Sequence, residues 1–404
     1  MSDASDTRTG PGSRISVLVN LTWLVPGVVG GSEESTTDAL RALLEHRPEI
    51  APTLAVLRPF AAAHPDLAEA CRCEVLELDG SNKAARVWAE QRWLARLTRA
   101  GGFDVVHHAG GVVPLAHPGK VVLTIHDLQP LDLPGNFGAA KRLYARSMLG
   151  RSAATAEIVC VPSEFTAGRV GQRLDVDRAR LRVVPWSVRS HREPVITSSS
   201  RSTPEPSKPV FLYPAITYAH KNHLELLEAF AGVVSRFPEA ELLLPGGPGP
   251  LEAAVVERIG RPDLLGRVSR PGRVTAGELE EMYTRSTAVV VPSGYEGFGL
   301  PALEAMARGV PVLVSDAGSL PEVLGGSGLA PVVGGPEAWR AAMLHVASLD
   351  AADRGQLIEA QRARAALFTP RRTADALADA YRDASSRPEG DGTGSHRDSA
   401  TDNS

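Results

Sequence analysis

Short apolar runs alternate along the chain with longer segments in which apolar residues recur every three or four positions. In the first half, the runs predict seven β-strands, at 15–21, 53–58, 74–78, 104–109, 121–128, 157–163 and 181–186. Two of the intervening segments, STTDALRALLEH and AEQRWLARLTRA, are typical of amphipathic helices. Continuous β-branched runs separated by helices indicate a parallel sheet that is covered on both faces.

The alternation is interrupted once, by RSHREPVITSSSRSTPEPSKP, whose Ser, Pro and charge content predicts an interdomain linker. It then restarts, and predicts five more strands at 210–215, 241–246, 266–272, 287–293 and 310–316. The expected fold class is therefore α/β, with two tandem Rossmann-like, doubly wound domains. Ligands of such sheets bind beyond the carboxyl ends of the strands, so we expect the site in the interdomain cleft.

These patterns divide the chain into six parts. We predict a disordered N-terminus at 1–13, an N-terminal domain at 14–188, the linker at 189–209, a C-terminal domain at 210–368, a helix at 369–385 that packs back towards the N-terminal domain, and a disordered polar tail at 386–404.

Composition and charge narrow the function classes. The chain has 404 residues, 43% of them hydrophobic and 22% charged, as is ordinary for a water-soluble globular protein. A formal net charge of -4 gives no indication of a nucleic-acid partner. Cys71, Cys73 and Cys160 lack the spacing of a zinc site and fit a reducing compartment. With no signal peptide or membrane-spanning run, we expect a cytoplasmic protein.

The segment PSGYEGFGLPALEAMARG, residues 292–309, carries the strongest chemical signal. It leaves a buried strand and enters a short helix, with Pro301 in the first turn and Gly309 past the end. The backbone N–H groups of 297–300 therefore lie at a helix N-terminus, where free donors and the helix dipole together favour an anion.

Two carboxylates flank this anion site, and seven residues separate Glu296 from Glu304. Carboxylates accept hydrogen bonds from hydroxyl groups, so the arrangement suits a ligand with an anionic centre and hydroxyls at both ends, such as a nucleotide sugar. The structural alternative is that Glu304 only complements the helix dipole in the first turn and that Glu296 is a solvated loop residue.

The longer stretch EGFGLPALEAMARGVPVLVSDAGSLPEV resembles the Glu-x7-Glu signature of the retaining family-four glycosyltransferases, which have two Rossmann-like domains in the GT-B architecture. The resemblance runs in order from GGSEESTTDALRALL to the C-terminal helix. It implies that Glu296 contacts hydroxyls of the donor sugar and that Glu304 holds the ribose hydroxyls. The diphosphate would be held by the backbone of Gly297, Phe298, Gly299 and Leu300. The N-terminal domain would bind the acceptor and the C-terminal domain the nucleotide sugar.

Lys221 matches the position at which the family has a lysine that binds the diphosphate and stabilises the leaving group. Lysine is rare in this arginine-rich chain, and a cation at a helix start opposes the helix dipole, so a filler role is a poor explanation. Many relatives also have an arginine five residues earlier, where this chain has Ile216. One phosphate contact of the family is therefore missing.

Other positions are carried over from the same resemblance. His126 would lie beside the donor sugar, although a lone histidine at a strand end is often structural. Gly30 and Gly31 would admit the donor phosphate, although such a turn is also an ordinary strand-to-helix connection.

The resemblance also suggests roles at other positions. Backbone near Arg273 and Val274 would meet the nucleobase. Asp127 supports His126, and Trp23 and Glu33 are candidates for the acceptor pocket.

Several other motifs compete with this interpretation. Asp175 and Asp177 form a D-x-D pair like that of metal-dependent glycosyltransferases, but their context predicts a solvated turn. PGGPGPLEAA lacks the full G-x-G-x-x-G of dinucleotide-binding enzymes. The basic segments 83–100 and 139–154, which contain aromatics, could contact an anionic membrane, or could simply cover the sheet.

We therefore expect a retaining, metal-independent hexosyltransferase without a cofactor. Its donor would be a UDP- or GDP-sugar, with mannose favoured because YPA, HKNH and HDL look like a mannosyltransferase subgroup. The acceptor would be a glycan, a lipid-linked or a small molecule, with peripheral contact at the inner face of the membrane. The alternatives are a non-catalytic nucleotide-sugar-binding protein and a sugar-nucleotide epimerase of the same fold. Nothing in the sequence indicates an oligomeric state.

Overall fold

The computed structural model describes residues 14–136, 138–188 and 208–387. The predictions of disorder for 1–13 and for the tail beyond 387, and most of the predicted linker 189–209, lie outside the described residues. Within them, the chain forms two parallel sheets flanked by helices, and the predicted α/β fold class is confirmed.

The first sheet contains seven strands within the described residues, and all its pairings are parallel. They are β1 Ile15–Asn20, β2 Ile50–Leu57, β3 Arg72–Leu76, β4 Val105–His108, β5 Val121–Thr124, β6 Ile158–Val161 and β7 Leu181–Val183. Their order is β3-β2-β1-β4-β5-β6-β7. Strands β4 and β6 are buried throughout, and for β6 this burial is the physical reason for its continuous apolar sequence, IVCV.

Helices cover both faces of this sheet. They are α1 Gly31–His46, α2 Phe60–Ala63, α3 Pro65–Ala70, α4 Lys83–Gly101, α5 Gln129–Asp132, α6 Ala139–Thr155 and α7 Glu164–Leu174. Helix α7 begins at Ser163, whose hydroxyl accepts a hydrogen bond from the N–H of Thr166 at 3.1 Å and so satisfies one free donor of the first turn.

The second sheet contains five parallel strands among the residues that the structure describes. They are β8 Val210–Leu212, β9 Glu241–Pro245, β10 Val268–Gly272, β11 Ala288–Val291 and β12 Val312–Val314, in the order β10-β9-β8-β11-β12. The later helices are α8 His223–Val234, α9 Glu252–Ile259, α10 Ala276–Arg285, α11 Leu300–Arg308, α12 Leu320–Leu324, α13 Pro336–Ala347, α14 Ala351–Ala365 and α15 Pro370–Ser386.

The last helix, α15, packs against the first sheet and not the second. Its residues Leu377 and Tyr381 are buried in the same cluster as Val17 and Val122. The Tyr381 hydroxyl lies 2.8 Å from Nδ1 of His107 on β4. Apolar packing with a satisfied polar contact therefore ties the end of the described chain to the N-terminal sheet. The exact boundaries of the six predicted parts stay a prediction.

The two basic helices cover the first sheet. Helix α4 buries Leu94 against it. Its Trp88 is 62% exposed, with the Arg92 guanidinium 4.4 Å from the ring centre. Leu143 and Tyr144 on α6 are also exposed. The sheet-covering interpretation is correct for one face of α4, and both helices carry exposed apolar side chains. No helix in the described ranges combines the length and the apolar character needed to cross a bilayer.

Candidate functional site

The predicted site residues follow strands at the points where the strand order reverses. In the first sheet that point lies between β1 and β4, and in the second between β8 and β11. Gly30 and Gly31 come after β1, Lys221 after β8, and Glu296 after β11. His126 lies just beyond β5, the neighbour of β4. Doubly wound sheets bind ligands at such points, so the topology directs these residues to one crevice.

The start of α11 presents free hydrogen-bond donors. Gly299 precedes the helix with φ of 96°, a left-handed conformation that favours glycine. Four consecutive backbone N–H groups have no acceptor among the described residues. They belong to Gly297, Phe298, Gly299 and Leu300. Free donors at the N-terminus of a nine-residue helix are suited to bind an anion, and that they do so stays a prediction.

Gly297 has no side chain because the first domain lies against it. A Cβ atom at Gly297 would be 2.2 Å from the carbonyl oxygen of His126 and 3.1 Å from Cβ of Asp127. The close neighbour is the loop after β5, so the glycine permits contact between the two domains. That the Gly297 N–H also meets a ligand stays a prediction.

Lys221 and Glu296 form an ion pair across the switch point of the second sheet. Lys221 Nζ donates to Glu296 Oε1 at 2.5 Å, and the side chains are 19% and 11% exposed. Glu296 is therefore not a solvated loop residue, and Lys221 is not a surface cation. Each carries a charge that the other partly neutralises, as burial requires.

The same pair is held in place by hydrogen bonds from the second domain. The buried Tyr213 hydroxyl donates to the Lys221 carbonyl at 3.1 Å and lies 2.8 Å from Ser293 Oγ. The N–H and hydroxyl of Ser319 both donate to the Glu296 carbonyl, at 3.2 Å and 3.1 Å. Burial, and then the charge of Glu296, raise the pKa of Tyr213 well above its usual value, so this hydroxyl keeps its proton.

Glu304 lies in the second turn of α11, so it cannot act as the first-turn dipole partner of the structural alternative. Its Oε2 accepts a hydrogen bond of 2.7 Å from the buried Tyr283 hydroxyl. Burial raises the pKa of Glu304, while the charge of Arg308 opposes this rise. The buried Glu304 carboxylate accepts a hydrogen bond from one hydroxyl, so its oxygens can accept another from a hydroxyl of a ligand.

His126 lies within a row of aromatic rings that crosses from one domain to the other. Its ring centre is 5.7 Å from that of Trp23 and 5.8 Å from that of Trp186, which is 5.3 Å from Phe298. Nε2 of His126 is 3.0 Å from the carbonyl oxygen of Ala109. Because a carbonyl only accepts, Nε2 carries the proton and Nδ1 is a bare acceptor.

Asp127 turns away from the aromatic row. Its carboxylate accepts hydrogen bonds from the backbone N–H and side-chain amide of Gln129, at 3.0 Å and 3.2 Å. Burial raises its pKa, whereas the charge of Lys221 opposes the rise. Asp127 therefore lies close enough to Lys221 to feel its charge, but it serves its own loop.

The turn after β1 brings a second helix N-terminus to the cleft. Gly30 has φ of 74° and precedes α1. A Cβ atom on Gly31 would lie 3.9 Å from Leu300 at the start of α11. The N-termini of α1 and α11 thus face each other across the cleft. Glu33, a candidate for the acceptor pocket, accepts from Gly27 N at 2.8 Å and lies 3.0 Å from His64 Nε2 through its other carboxylate oxygen.

The two domains are joined by contacts that sequence reasoning missed. The Glu322 carboxylate on α12 accepts hydrogen bonds from the backbone N–H groups of Glu164 and Phe165, at 2.9 Å and 3.0 Å. It therefore caps α7 of the other domain. The only sequence signal was the LPEV motif, in which a glutamate follows a proline at a helix start.

The β11–α11 loop makes further interdomain contacts. The Gly297 carbonyl accepts from Ser163 Oγ at 2.7 Å and from Thr166 Oγ1 at 3.0 Å. The Tyr295 hydroxyl donates to Asp132 Oδ2 at 3.0 Å and accepts from Leu128 N at 3.2 Å. The loop that carries Glu296 is therefore positioned by both domains at once.

Arg273 and Val274 follow β10, two strands away from β8. The Arg273 guanidinium lies over Gly247, 3.1 Å from where a Cβ atom would be. Ile216 lies at the end of β8, where its side chain is 3.1 Å from a Cβ position on Gly249. The residue that replaces the family's arginine thus packs against the neighbouring loop.

The competing motifs have structural roles. Asp175, with φ of 53°, ends α7, and Asp177 accepts from Ala179 N at 2.8 Å. Gly246 avoids a clash with the Ala215 carbonyl, 2.2 Å from where its Cβ would be. In the described part of the chain, no three His, Cys, Asp or Glu side chains are grouped as they would be around a metal ion.

A family model described as Glycosyl transferases group 1 matches residues 196–364, and one described as Glycosyltransferase Family 4 matches residues 29–192. The two matched regions together cover most of the chain, one for each sheet. The chain belongs to the family-four, or group 1, glycosyltransferases. The resemblance of its Glu-x7-Glu segment is confirmed.

Curated relatives of this family-four glycosyltransferase include two bacterial mannosyltransferases. The O-antigen chain mannosyltransferase RfbU of Salmonella typhimurium is 26% identical over 64% of this chain and 69% of its own. The MMP alpha-(1->4)-mannosyltransferase of Mycolicibacterium hassiacum is 31% identical over 61% of this chain and 60% of its own. The match thus spans under two thirds of the second relative.

Solved structures share the architecture of this family-four chain. HepE from Anabaena, in complex with UDP and glucose, has a TM-score of 0.68 and 18% identity. The likeness covers 91% of this chain and 99% of HepE. At this identity it concerns the fold alone, and it agrees with the expected GT-B architecture.

Proposed function

We propose that this protein is a retaining, metal-independent glycosyltransferase that transfers a hexose from a nucleoside-diphosphate sugar to a hydroxyl acceptor. The observation that carries the proposal is the Lys221–Glu296 ion pair, placed at a strand-order reversal beside the free N–H groups that start α11. The site offers positive potential to a diphosphate, and carboxylates to the hydroxyls on either side of it.

Different residues bind different parts of the donor. The N–H groups of 297–300 hold the diphosphate, and Glu304 accepts from the ribose hydroxyls. Lys221 has three N–H donors and uses one of them for Glu296, so it can also bind a phosphate oxygen. Glu296 accepts from hydroxyls of the hexose, and His126 lies beside that sugar.

Transfer breaks the bond between the anomeric carbon and the phosphate oxygen and forms a bond from that carbon to the acceptor oxygen. The acceptor proton passes to the leaving phosphate on the same face, so the configuration is retained and the protein needs no nucleophile. Negative charge that develops on the leaving group is stabilised by Lys221 and the start of α11. These fixed groups supply the electrostatic stabilisation for which other enzymes use a metal ion.

Contact between the domains would exclude water from this reaction. Gly297 touches the His126 carbonyl, and Glu322 caps α7, so the β11–α11 loop is positioned only when the domains meet. Closure of this kind limits hydrolysis of the donor and orients the acceptor.

The identity of the hexose and of the leaving group is inferred from the relatives, and membrane contact is inferred from exposed side chains. The two mannosyltransferases support mannose as the hexose. The complex of HepE supports a nucleoside diphosphate as the leaving group. Exposed Trp88, Leu143 and Tyr144 on arginine-rich helices support peripheral contact with an anionic membrane at its cytoplasmic face.

The proposal is tested by thermal shift against UDP, GDP, ADP and TDP, with and without EDTA, and then by product analysis with the matching sugar nucleotides. A ligand that binds the native state raises the unfolding temperature, so one nucleotide should stand out regardless of EDTA. Glu296→Gln should still bind it but lose transfer, whereas Glu257→Gln, an exposed control on α9, should retain both. No stabilisation by any of the four would contradict the proposed donor site.

A second candidate, a nucleotide-sugar-binding protein without transfer, is favoured by Ile216, where the family often has an arginine. It predicts the same thermal shift, but no product with any acceptor. Inversion of the hydroxyl at the second carbon of the bound sugar, without transfer, would instead indicate an epimerase.

A further inference from the structure

A cavity of about 40 Å³ lies inside the first domain behind the His126 ring. The start of α1 forms one wall, the carboxyl ends of the sheet strands form a second, and α15 forms a third. The main lining residues are Thr36, Ala39, His107, His126, Cys160 and Thr373. Because the carbonyl of His126 contacts Gly297 of the β11–α11 loop, the cavity adjoins the cleft.

Most polar groups in its wall have partners. The two ring nitrogens of His107 lie 2.8 Å from the Tyr381 hydroxyl and 2.7 Å from Thr124 Oγ1. Thr373 Oγ1 donates to the Pro185 carbonyl at 2.7 Å. These groups therefore need no hydrogen bond from a ligand.

Two buried polar atoms in the wall have no partner in the described structure. They are Thr36 Oγ1 and His126 Nδ1. Thr36 is 8% exposed, so bulk water does not satisfy its hydroxyl. Native proteins rarely leave such atoms unpaired, because each has lost hydration without compensation. The pair therefore indicates that something polar occupies the cavity.

The two atoms are complementary in kind. His126 Nδ1 is an acceptor, because Nε2 uses the proton of the neutral ring on the Ala109 carbonyl. Burial lowers the pKa of His126 to about 4, so the ring stays neutral near pH 7. Thr36 Oγ1 can donate. A hydroxyl group offers the donor that His126 Nδ1 lacks and the acceptor that Thr36 Oγ1 lacks, and the carbon walls of the cavity favour an apolar skeleton.

We propose that this cavity binds the hydroxyl-bearing end group of the acceptor, a small alcohol of about three or four non-hydrogen atoms. The size follows from the volume, because one water-sized group needs roughly 10–15 Å³. The cavity anchors the acceptor, and no bond is made there. This proposal rests on the proposed transferase function, since it needs an acceptor that enters from the cleft.

The test uses two probes of equal size, 2-propanol and acetone, on the full-length protein without nucleotide. Both fit the cavity, but only 2-propanol can donate to His126. Methyl NMR of labelled alanine and threonine should show saturable shifts of Ala39 and Ala109 with 2-propanol. Acetone should bind at least about threefold more weakly, because it leaves the Nδ1 acceptor unpaired.

Variants show whether the shifts arise in the cavity. Ala39→Leu fills the space and should abolish them, whereas Ala253→Leu on exposed α9 should not. Thr36→Val keeps the size of the side chain but lacks the hydroxyl, and should weaken both probes, because the oxygen of each accepts from Thr36. The Thr36→Val variant also keeps the test valid if Ala39→Leu does not fold.

Other outcomes would overturn the proposal. If the Ala39 methyl shows no saturable shift with 2-propanol, or the shift persists in Ala39→Leu, the cavity is not an alcohol site. Contacts to undisplaced water alone would assign it to structural water. Displacement of 2-propanol by a sugar nucleotide, but not by its nucleoside diphosphate, would assign it to the donor sugar. Thermal shift with nucleotides is measured separately, so failure of the donor site can be distinguished from failure of the cavity to bind an alcohol.

Discussion

Replacement of Lys221 by methionine tests the central assignment, because it removes the charge and keeps most of the side-chain volume. In the structure the ammonium is 2.5 Å from Glu296, which directly precedes the free N–H groups that start α11. If it also binds a phosphate oxygen, its loss removes one charged hydrogen bond, which contributes about 1.5–3 kcal/mol. Since about 1.4 kcal/mol corresponds to a factor of ten, the Kd for the nucleoside diphosphate should rise roughly 10- to 150-fold.

The same substitution leaves Glu296 without its cation. The side chains of the pair are 19% and 11% exposed, so the cost lies between that of a surface pair and that of a buried one. We expect a loss of about 1–3 kcal/mol in the free energy of unfolding of the second domain. The double variant Lys221→Met with Glu296→Gln should recover most of this stability and none of the nucleotide affinity.

Calorimetry at fixed salt measures the affinities of wild type, the single variants and the double variant for the nucleoside diphosphate and for the free nucleoside. Nucleoside binding should be unchanged, because it offers no phosphate. Lys83→Met, at the exposed start of α4, is the matched control. A change below about threefold for the diphosphate, or an equal loss for the nucleoside, would refute the phosphate role of Lys221.

Three further substitutions test individual contacts and one buried titratable group. Gly297→Ala places a Cβ 2.2 Å from the His126 carbonyl and so displaces the loop whose N–H groups are proposed to hold the diphosphate. The kcat should therefore fall about 100-fold and the Kd for the nucleotide should rise, as steady-state kinetics and calorimetry will show. Glu322→Ala removes the cap of α7 and should speed amide exchange at 164–165 by roughly tenfold or more, with Glu322→Gln intermediate. Burial lowers the pKa of His108 to about 3, so its neutral ring contributes stability that is full above about pH 6.5 and lost on acidification. His108→Gln should therefore reduce the loss of unfolding free energy between about pH 7 and pH 4.5 by about 2–3 kcal/mol in urea titrations, and an unchanged loss would contradict this.

The strands were predictable because their signal is local. A run such as AVVV in β11 is buried on both faces, and the interior of a parallel sheet is where such a run is stable. The start of α11 was predictable for the same reason, since Gly299 and Gly309 take the left-handed conformations that punctuate a short helix. Strand ends were less certain. The predicted strand 181–186 ends at Val183, because Trp186 leaves the sheet to join the aromatic row.

The roles of individual side chains were less predictable than the positions of the elements. Glu33 was expected near the acceptor, which stays a prediction, and the structure adds that its carboxylate accepts from a backbone N–H of its own turn. Gly297 was expected to hold the diphosphate, which also stays a prediction, and the structure adds that it lies against the other domain. In both cases the residue type alone did not indicate the neighbour that the three-dimensional structure provides.

The sequence by itself determined the two parallel sheets, the helix N-terminus at 297–300 and the family to which they belong, because each depends on residues close together in the chain. Only the tertiary structure decided that Lys221 neutralises Glu296, 75 residues away, and that Glu322 caps a helix 158 residues earlier. Such pairings depend on where the strand order reverses and on how closely two domains approach. The spacing of apolar and polar residues within a segment determines neither the strand order nor the approach of the domains, since the same spacing is compatible with other strand orders.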